Sequence, residues 1–170
     1  EERELSVDEC AGYLQKAINL LKSQTAASGS SEGTLKVIIT VSPIRYAKYG
    51  YHGSQLSKAT LLLAADKLVK ENPGVVSYFP AYEIMNDELR DYRFYKEDML
   101  HPSEQAVEYI WERFRATYFG KAAELFLEDW RPIREALGHK PFHPESEEHQ
   151  KFIARTEEKK RQFEEKYHLL

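Results

Sequence analysis

The chain has 170 residues, of which 42% are hydrophobic and 31% charged, a composition typical of one globular domain with an appended segment. Its 24 basic and 28 acidic residues give a formal net charge of −4 without a strong cluster of either sign. This argues against a nucleic-acid partner, which calls for a basic face. With neither an apolar run of roughly 18 residues nor a signal-peptide pattern, we expect no membrane association. The single Cys10 excludes an intramolecular disulfide and favours a reducing, cytoplasmic compartment.

A helix is predicted at the start of the chain. Ser6 and Glu9 have the spacing of a capping box, in which the serine caps the helix and the glutamate bonds back to the serine N–H. One apolar stripe follows with helical spacing: Val7, Cys10, Ala11, Leu14, Ala17, Ile18 and Leu21. Because Cys10 lies on this stripe, we interpret it as a small core residue rather than a reactive thiol. Residues 25–33 are small and polar, which predicts a loop.

A strand, a helix and a second strand are predicted next, over residues 35–41, 55–70 and 75–79. A connection of this length implies parallel strands joined by a right-handed crossover. Ligands of parallel sheets bind beyond the carboxyl ends of the strands, so Ser42 and Arg45 are candidate substrate-binding residues. Arg45 could bind a carboxylate or stabilise developing negative charge. Alternatively, it could form a structural salt bridge with the acidic region between Asp87 and Asp98.

The stretch Asp98-x-x-His101-Pro102 precedes another predicted helix. The apolar residues of that helix are Ala106, Val107, Ile110, Trp111 and Phe114. Pro102 suits the first helical position because its missing N–H would have no intrahelical partner there, which places His101 at the N-cap. Asp98 is then close enough to bond His101 Nδ1. A carboxylate that orients an imidazole in this way is the base-and-orienter half of a Ser-His-Asp triad.

Asp98-x-x-His101-Pro102 resembles the last sequence block of the SGNH (GDSL-like) hydrolases, whose Asp and His are the second and third triad members. Further blocks narrow this resemblance to the GSCFA-domain family, a set of bacterial proteins regarded as distant SGNH relatives. These blocks are Thr40-Val41-Ser42-Pro43-Ile44-Arg45, Ser57-Lys58-Ala59, Tyr78-Phe79-Pro80-Ala81-Tyr82-Glu83 and the run from Asp87 to Tyr95. The similarity extends from about Leu5 to Phe114.

The resemblance implies a three-layer α/β/α, flavodoxin-like fold, of which this chain supplies the C-terminal half. Residues 1–117 would form the C-terminal part of the GSCFA/SGNH-like domain, and residues 118–170 a helical extension. The Gly-Ser-Cys-Phe-Ala motif that names the family, and whose serine corresponds to the SGNH nucleophile, does not occur in this sequence. We therefore interpret the chain as part of a longer protein. The serine, the Gly and Asn of the oxyanion hole and the remaining strands are expected upstream.

The implied function of the intact protein is hydrolysis or transfer of an acyl ester, with Asp98 and His101 as catalytic residues and no cofactor or metal. The substrate would be a small-molecule or carbohydrate-linked ester, the carbohydrate being suggested only by related families. The isolated chain is expected to be inactive. The alternative is a non-catalytic binding or scaffolding module that keeps the fold.

Two other groups of residues compete with this interpretation. Ser54 follows a strand and precedes a helix, as a nucleophile can, but the SGNH nucleophile follows the first strand of the sheet and this strand is late. His139, His143 and His149 straddle two prolines and have no cysteine or carboxylate at zinc-ligand spacing, so a metal site is not favoured. In the extension, helices are predicted over 119–129 and 133–137, interrupted by Pro132, and over 146–167.

Overall fold

The two strands anticipated from the sequence pair in parallel. In the computed structural model, which describes residues 3–27, 35–141 and 145–169, β1 (Val37–Ile39) lies beside β2 (Val76–Tyr78). The register joins Val37 to Val76 and Ile39 to Tyr78, and α2 (Gly50–Glu71) connects the strands. The prediction of a parallel strand–helix–strand unit is confirmed, with strands shorter than the apolar runs that suggested them.

The chain divides into two units, Glu1–Phe114 and Arg115–Leu170. The other α-helices of the described residues are α1 (Val7–Ala27), α3 (Ala81–Glu83) with its π-helical continuation (Ile84–Glu88), α4 (Glu104–Tyr118), α5 (Lys121–Gly138) and α6 (Glu147–Lys166). Two short 3₁₀ helices span Ala47–Tyr49 and Tyr92–Phe94. The described part of the chain is thus α/β, with a two-stranded sheet; the three-layer architecture stays a prediction. None of its helices is both long and apolar enough to cross a membrane.

One hydrophobic core cluster of the first unit lies between α1, α2 and β2. Its buried members are Ala11, Ile18, Ala64, Leu68 and Val76. The capping box at the start of α1 is formed as predicted: Glu9 N donates to Ser6 Oγ at 3.2 Å, and Ser6 N donates to Glu9 Oε2 at 2.9 Å. Cys10 is partly buried against this core. Because α1 extends to Ala27, the start of the predicted 25–33 loop is helical, and residues 28–33 lie outside the described residues.

A buried asparagine joins the end of α2 to α1. Asn72 is 6% exposed; its Nδ2 donates to Gln15 Oε1 at 2.6 Å and to the Leu68 carbonyl at 3.0 Å. Its Oδ1 accepts from Gln15 Nε2 and from Lys22 Nζ, both at 3.2 Å. The side chain therefore both caps α2 and cross-links two helices.

We expect Asn72→Ala to lower the free energy of unfolding by about 1–3 kcal/mol, because the substitution leaves buried partners without their hydrogen bonds. Urea denaturation measures the change. Asn19→Ala is the matched control, since Asn19 is exposed on α1 and its side chain accepts one hydrogen bond, from Gln15, among the described residues. Equal effects of the two substitutions would contradict a specific role for Asn72.

The second unit contains α5 and α6, which pack through aromatic rings. Phe126 contacts both Phe163 and Tyr167, with centroid distances of 4.8 and 4.7 Å. The predicted interruption at Pro132 is wrong, because α5 runs through it to Gly138. One missing backbone hydrogen bond is outweighed by tertiary packing, in which Ile133, immediately after the proline, is 3% exposed. Residues 142–144, which include His143, lie outside the described residues.

Candidate active site

A short loop carries the candidate catalytic residues in the first unit. Its ends are joined by an isolated antiparallel bridge between Tyr95 and Pro102. Lys96 N donates to the His101 carbonyl at 2.8 Å, and Met99 N donates to the Lys96 carbonyl at 2.9 Å. Met99 has φ of 60°, the left-handed conformation that lets the chain reverse within so few residues. We refer to residues 95–103 as the Asp–His loop.

The loop ends on a serine cap rather than on His101. α4 begins at Glu104, and Ser103 Oγ accepts from Ala106 N at 3.3 Å while its carbonyl accepts from Val107 N at 3.0 Å. The predicted N-cap role of His101 and the first-helical-position role of Pro102 are therefore wrong. The physical reason is twofold: the bridge to Tyr95 keeps Pro102 outside the helix, and a serine hydroxyl is a strong cap.

Asp98 and His101 form the predicted hydrogen bond. His101 Nδ1 lies 2.6 Å from Asp98 Oδ2, and Asp98 Oδ1 accepts from the backbone N–H groups of Leu100 at 2.9 Å and His101 at 3.0 Å. These donors lower the pKa of Asp98 from 3.8 to about 2, and the two backbone N–H groups have a larger effect than the imidazole. The carboxylate is ionised at neutral pH and can only accept, so the bond to Asp98 favours the imidazole tautomer with its proton on Nδ1 and the lone pair on Nε2.

We expect Asp98 to titrate at about 2 when followed by NMR of its side-chain carboxyl carbon. In His101→Ala the pKa should rise but stay below 3.8, because both backbone N–H donors remain. The hydrogen bonds of ionised Asp98 therefore stabilise the folded state fully above pH 3.8, and this stabilisation is lost as the pH falls towards 2. A titration at 3.8 in the unmodified protein would contradict the anchored geometry.

Within the described part of the chain, the His101 imidazole has no hydrogen-bonded nucleophile. No hydroxyl or thiol of residues 3–27, 35–141 or 145–169 hydrogen-bonds to His101 Nε2. Ser54, the local alternative, lies within α2 and its Oγ accepts from Tyr46 N at 3.2 Å. Ser42 Oγ accepts from Ile44 N at 3.4 Å. The described residues therefore bring together an imidazole and a carboxylate that orients it, and both candidate serines accept hydrogen bonds from backbone N–H groups instead.

An open cleft of about 690 Å³ borders Asp98, a volume within the range of small-molecule sites. It is lined by Arg45, Tyr46, Ala47, Gly50, Tyr51, Ser54, Gln55, Tyr92, Asp98, Met99 and Leu100. Tyr51 is 92% exposed and Tyr92 is 68% exposed, so their rings are accessible from solvent. The cleft therefore offers aromatic surface, a guanidinium and a carboxylate to one ligand.

The first unit coincides with a match to a known family. The model of the GSCFA family matches residues 1–114, which include Asp98 and His101. The chain belongs to the GSCFA family. A second model, described as the C-terminal domain of GSCFA domain proteins, matches residues 130–170. Neither a curated protein nor a solved structure was found to match the chain.

Within this GSCFA chain, Arg45 contacts the Asp–His loop. The guanidinium carbon lies 3.9 Å from the centroid of the Tyr95 ring, and Nη1 is 3.5 Å from the Met99 carbonyl. The backbone N–H of Arg45 donates to the Leu100 carbonyl at 3.1 Å. Within the described ranges no carboxylate oxygen lies within 4.0 Å of the guanidinium, so the predicted salt bridge with residues 87–98 is not formed.

The other substrate-binding candidate occupies a different position. Ser42 does not line the cleft of the GSCFA chain, and its carbonyl accepts a hydrogen bond from Lys58 Nζ at 2.6 Å. Lys58 is 8% exposed, a degree of burial that sequence analysis missed. The signal was available: Lys58 lies four residues after Ser54 and seven before Ala65, on the same buried stripe of α2. A lysine on a buried stripe marks a polar contact inside the fold.

Proposed function

We propose that the intact GSCFA protein is a serine esterase or acyl transferase of the SGNH type, to which residues 1–170 contribute Asp98 and His101. The observation that carries the proposal is the 2.6 Å bond between His101 Nδ1 and a carboxylate that two backbone N–H groups also hold. The nucleophile would be the serine of the Gly-Ser-Cys-Phe-Ala motif, in a segment outside this sequence. The three-layer architecture is part of the same proposal.

The chemistry proposed for the pair is supported by its geometry. His101 Nε2 takes the proton from the serine hydroxyl as the serine oxygen attacks the ester carbonyl carbon, and Asp98 stabilises the imidazolium that forms. His101 then returns the proton to the leaving alkoxide as the bond between carbonyl carbon and alkoxide breaks. Water, or an acceptor alcohol in a transferase, attacks the acyl-serine by the same sequence. The reaction needs no metal or redox cofactor.

The cleft beside Asp98 is the proposed place for the substrate. It is polar and aromatic, and it is open to solvent at Tyr51 and Tyr92, which suits an ester on a small polar molecule or a carbohydrate. Arg45 lies at its wall and is the retained substrate-binding candidate. A cytoplasmic location is also proposed, on the basis of the lone cysteine.

Active-site labelling with a fluorophosphonate tests the function. Residues 1–170 alone should not be labelled, whereas a GSCFA protein that carries the motif upstream of these residues should be labelled on the motif serine. Replacing that serine with alanine should remove the label. Labelling of residues 1–170 that disappears in Ser54→Ala or Ser42→Ala would overturn the missing-nucleophile account. No labelling of the motif-bearing protein would favour the non-catalytic module.

A further inference from the structure

The segment that follows β1 is fastened to α2 by two buried side chains. Lys58 Nζ donates to the Ser42 carbonyl at 2.6 Å, and Tyr46 N donates to Ser54 Oγ at 3.2 Å. Lys58 and Ser54 are 8% and 9% exposed and stand one turn apart on the same face of α2. Residues 42–46, which we call the hinge segment, are therefore hydrogen-bonded to α2 at both ends.

Burying the charged ammonium group of Lys58 costs free energy, which a favourable contact must offset. Burial lowers the pKa of the ammonium, and in the described part of the chain no carboxylate oxygen lies within 4.0 Å of Nζ. Nζ contacts the Ser42 carbonyl and faces the Tyr82 ring at 5.8 Å from its centroid. An apolar side chain of similar length would fill the same space without a charge to desolvate. The contact with Ser42 is what distinguishes lysine at this position.

The hinge segment in turn holds the Asp–His loop through Arg45. The Leu100 peptide groups are bonded on both sides: the carbonyl accepts from Arg45 N at 3.1 Å, while the N–H donates to Asp98 Oδ1 at 2.9 Å. The Arg45 guanidinium also reaches the Met99 carbonyl and lies on the face of Tyr95, a residue 9% exposed at the base of the loop. Arg45 therefore contacts the same residue, Leu100, whose backbone N–H holds the Asp98 carboxylate.

We propose that Lys58 and Arg45 are positioning residues for the Asp98–His101 pair. Lys58 fixes the hinge segment to α2, and Arg45 transmits that position to two of the three peptide groups between Asp98 and His101, those that carry the Met99 and Leu100 carbonyls. Neither residue touches the imidazole; both act through backbone geometry. The catalytic meaning of this arrangement rests on the proposed function, whereas the positioning itself is a property of the folded chain and can be measured without a substrate.

The test is carried out on residues 1–170 by NMR, with the pKa of Asp98 and the His101 Nδ1 proton resonance as readouts. Lys58→Met removes the ammonium and keeps the side-chain length, and Arg45→Ala removes the guanidinium. We expect both variants to raise the pKa of Asp98 from about 2 towards 3.8 and to broaden or lose the Nδ1 proton signal. Arg45→Lys, which keeps the charge but not the planar stacking on Tyr95, should recover only part of the shift.

The matched controls are Lys70→Met, an exposed lysine on α2 that pairs with Asp66, and Arg93→Ala, an exposed arginine that pairs with Asp91. Both should leave the two readouts unchanged. Should Lys58→Met fail to fold, Arg45→Ala decides the matter. A folded Arg45→Ala variant with unchanged readouts overturns the proposal. If the pKa of Asp98 rises in these variants but a fluorophosphonate does not label the motif-bearing protein, the proposed function is refuted and the positioning role of Lys58 and Arg45 is retained.

Discussion

Replacing His101 with alanine in a motif-bearing GSCFA protein is expected to reduce acyl-ester turnover by a factor on the order of 10³ or more. The substitution removes the proposed base, so the serine would no longer be activated and the leaving alkoxide would no longer be protonated. Turnover of a chromogenic short-chain acyl ester measures the loss. Asp98→Asn should cost roughly 10⁴-fold, because the amide favours the wrong imidazole tautomer and leaves the imidazolium without a counter-charge.

The control for this experiment is His52→Ala. His52 is exposed near the start of α2, and its replacement should leave turnover unchanged. The double variant Asp98→Asn/His101→Ala should be no slower than His101→Ala alone, since Asp98 acts only through the imidazole. If the His101→Ala protein kept normal turnover, the base would have to be sought elsewhere and the triad assignment would be lost.

Leu68→Ala is expected to lower the free energy of unfolding by about 2–5 kcal/mol, the largest stability effect we predict. Leu68 is fully buried on α2 and belongs to the core cluster with Ile18 of α1 and Val76 of β2. The truncation removes apolar contact area and leaves a cavity between elements that are fixed by their own hydrogen bonds, so the site cannot fully collapse. Urea unfolding followed by circular dichroism measures the change.

Leu63→Ala is the matched control for this core prediction. Leu63 lies on the same helix but is 57% exposed, and its replacement should change the free energy of unfolding by no more than about 0.5 kcal/mol. Comparable losses from the two substitutions would show that α2 does not present Leu68 to a close-packed core. The comparison cancels helix propensity, since both substitutions are Leu→Ala within one helix.

The parts of this protein that could be predicted from sequence are governed by neighbours along the chain. The capping box joins residues three apart, and so does the bond between Asp98 and His101, so spacing alone indicated both. The parallel strand–helix–strand unit followed from β-branched runs joined by a helical pattern, because a connection of that length leaves few topologies. Membership of the GSCFA family was likewise suggested by short blocks in the correct order.

Tertiary structure decided the rest, because the deciding contacts join distant residues. The Arg45 guanidinium contacts the Tyr95 ring and the Met99 carbonyl, which lies 54 positions further along the chain. The acidic residues between Asp87 and Asp98 suggested a carboxylate partner instead, so the charges in the sequence did not indicate these contacts. Pro102 is kept out of α4 by its bridge to Tyr95. The stripe of α2 indicates that Lys58 is buried, but only the packing of α2 against the hinge segment shows that its partner is the Ser42 carbonyl. Sequence thus determined the Asp98–His101 pair, and tertiary packing determined what holds it.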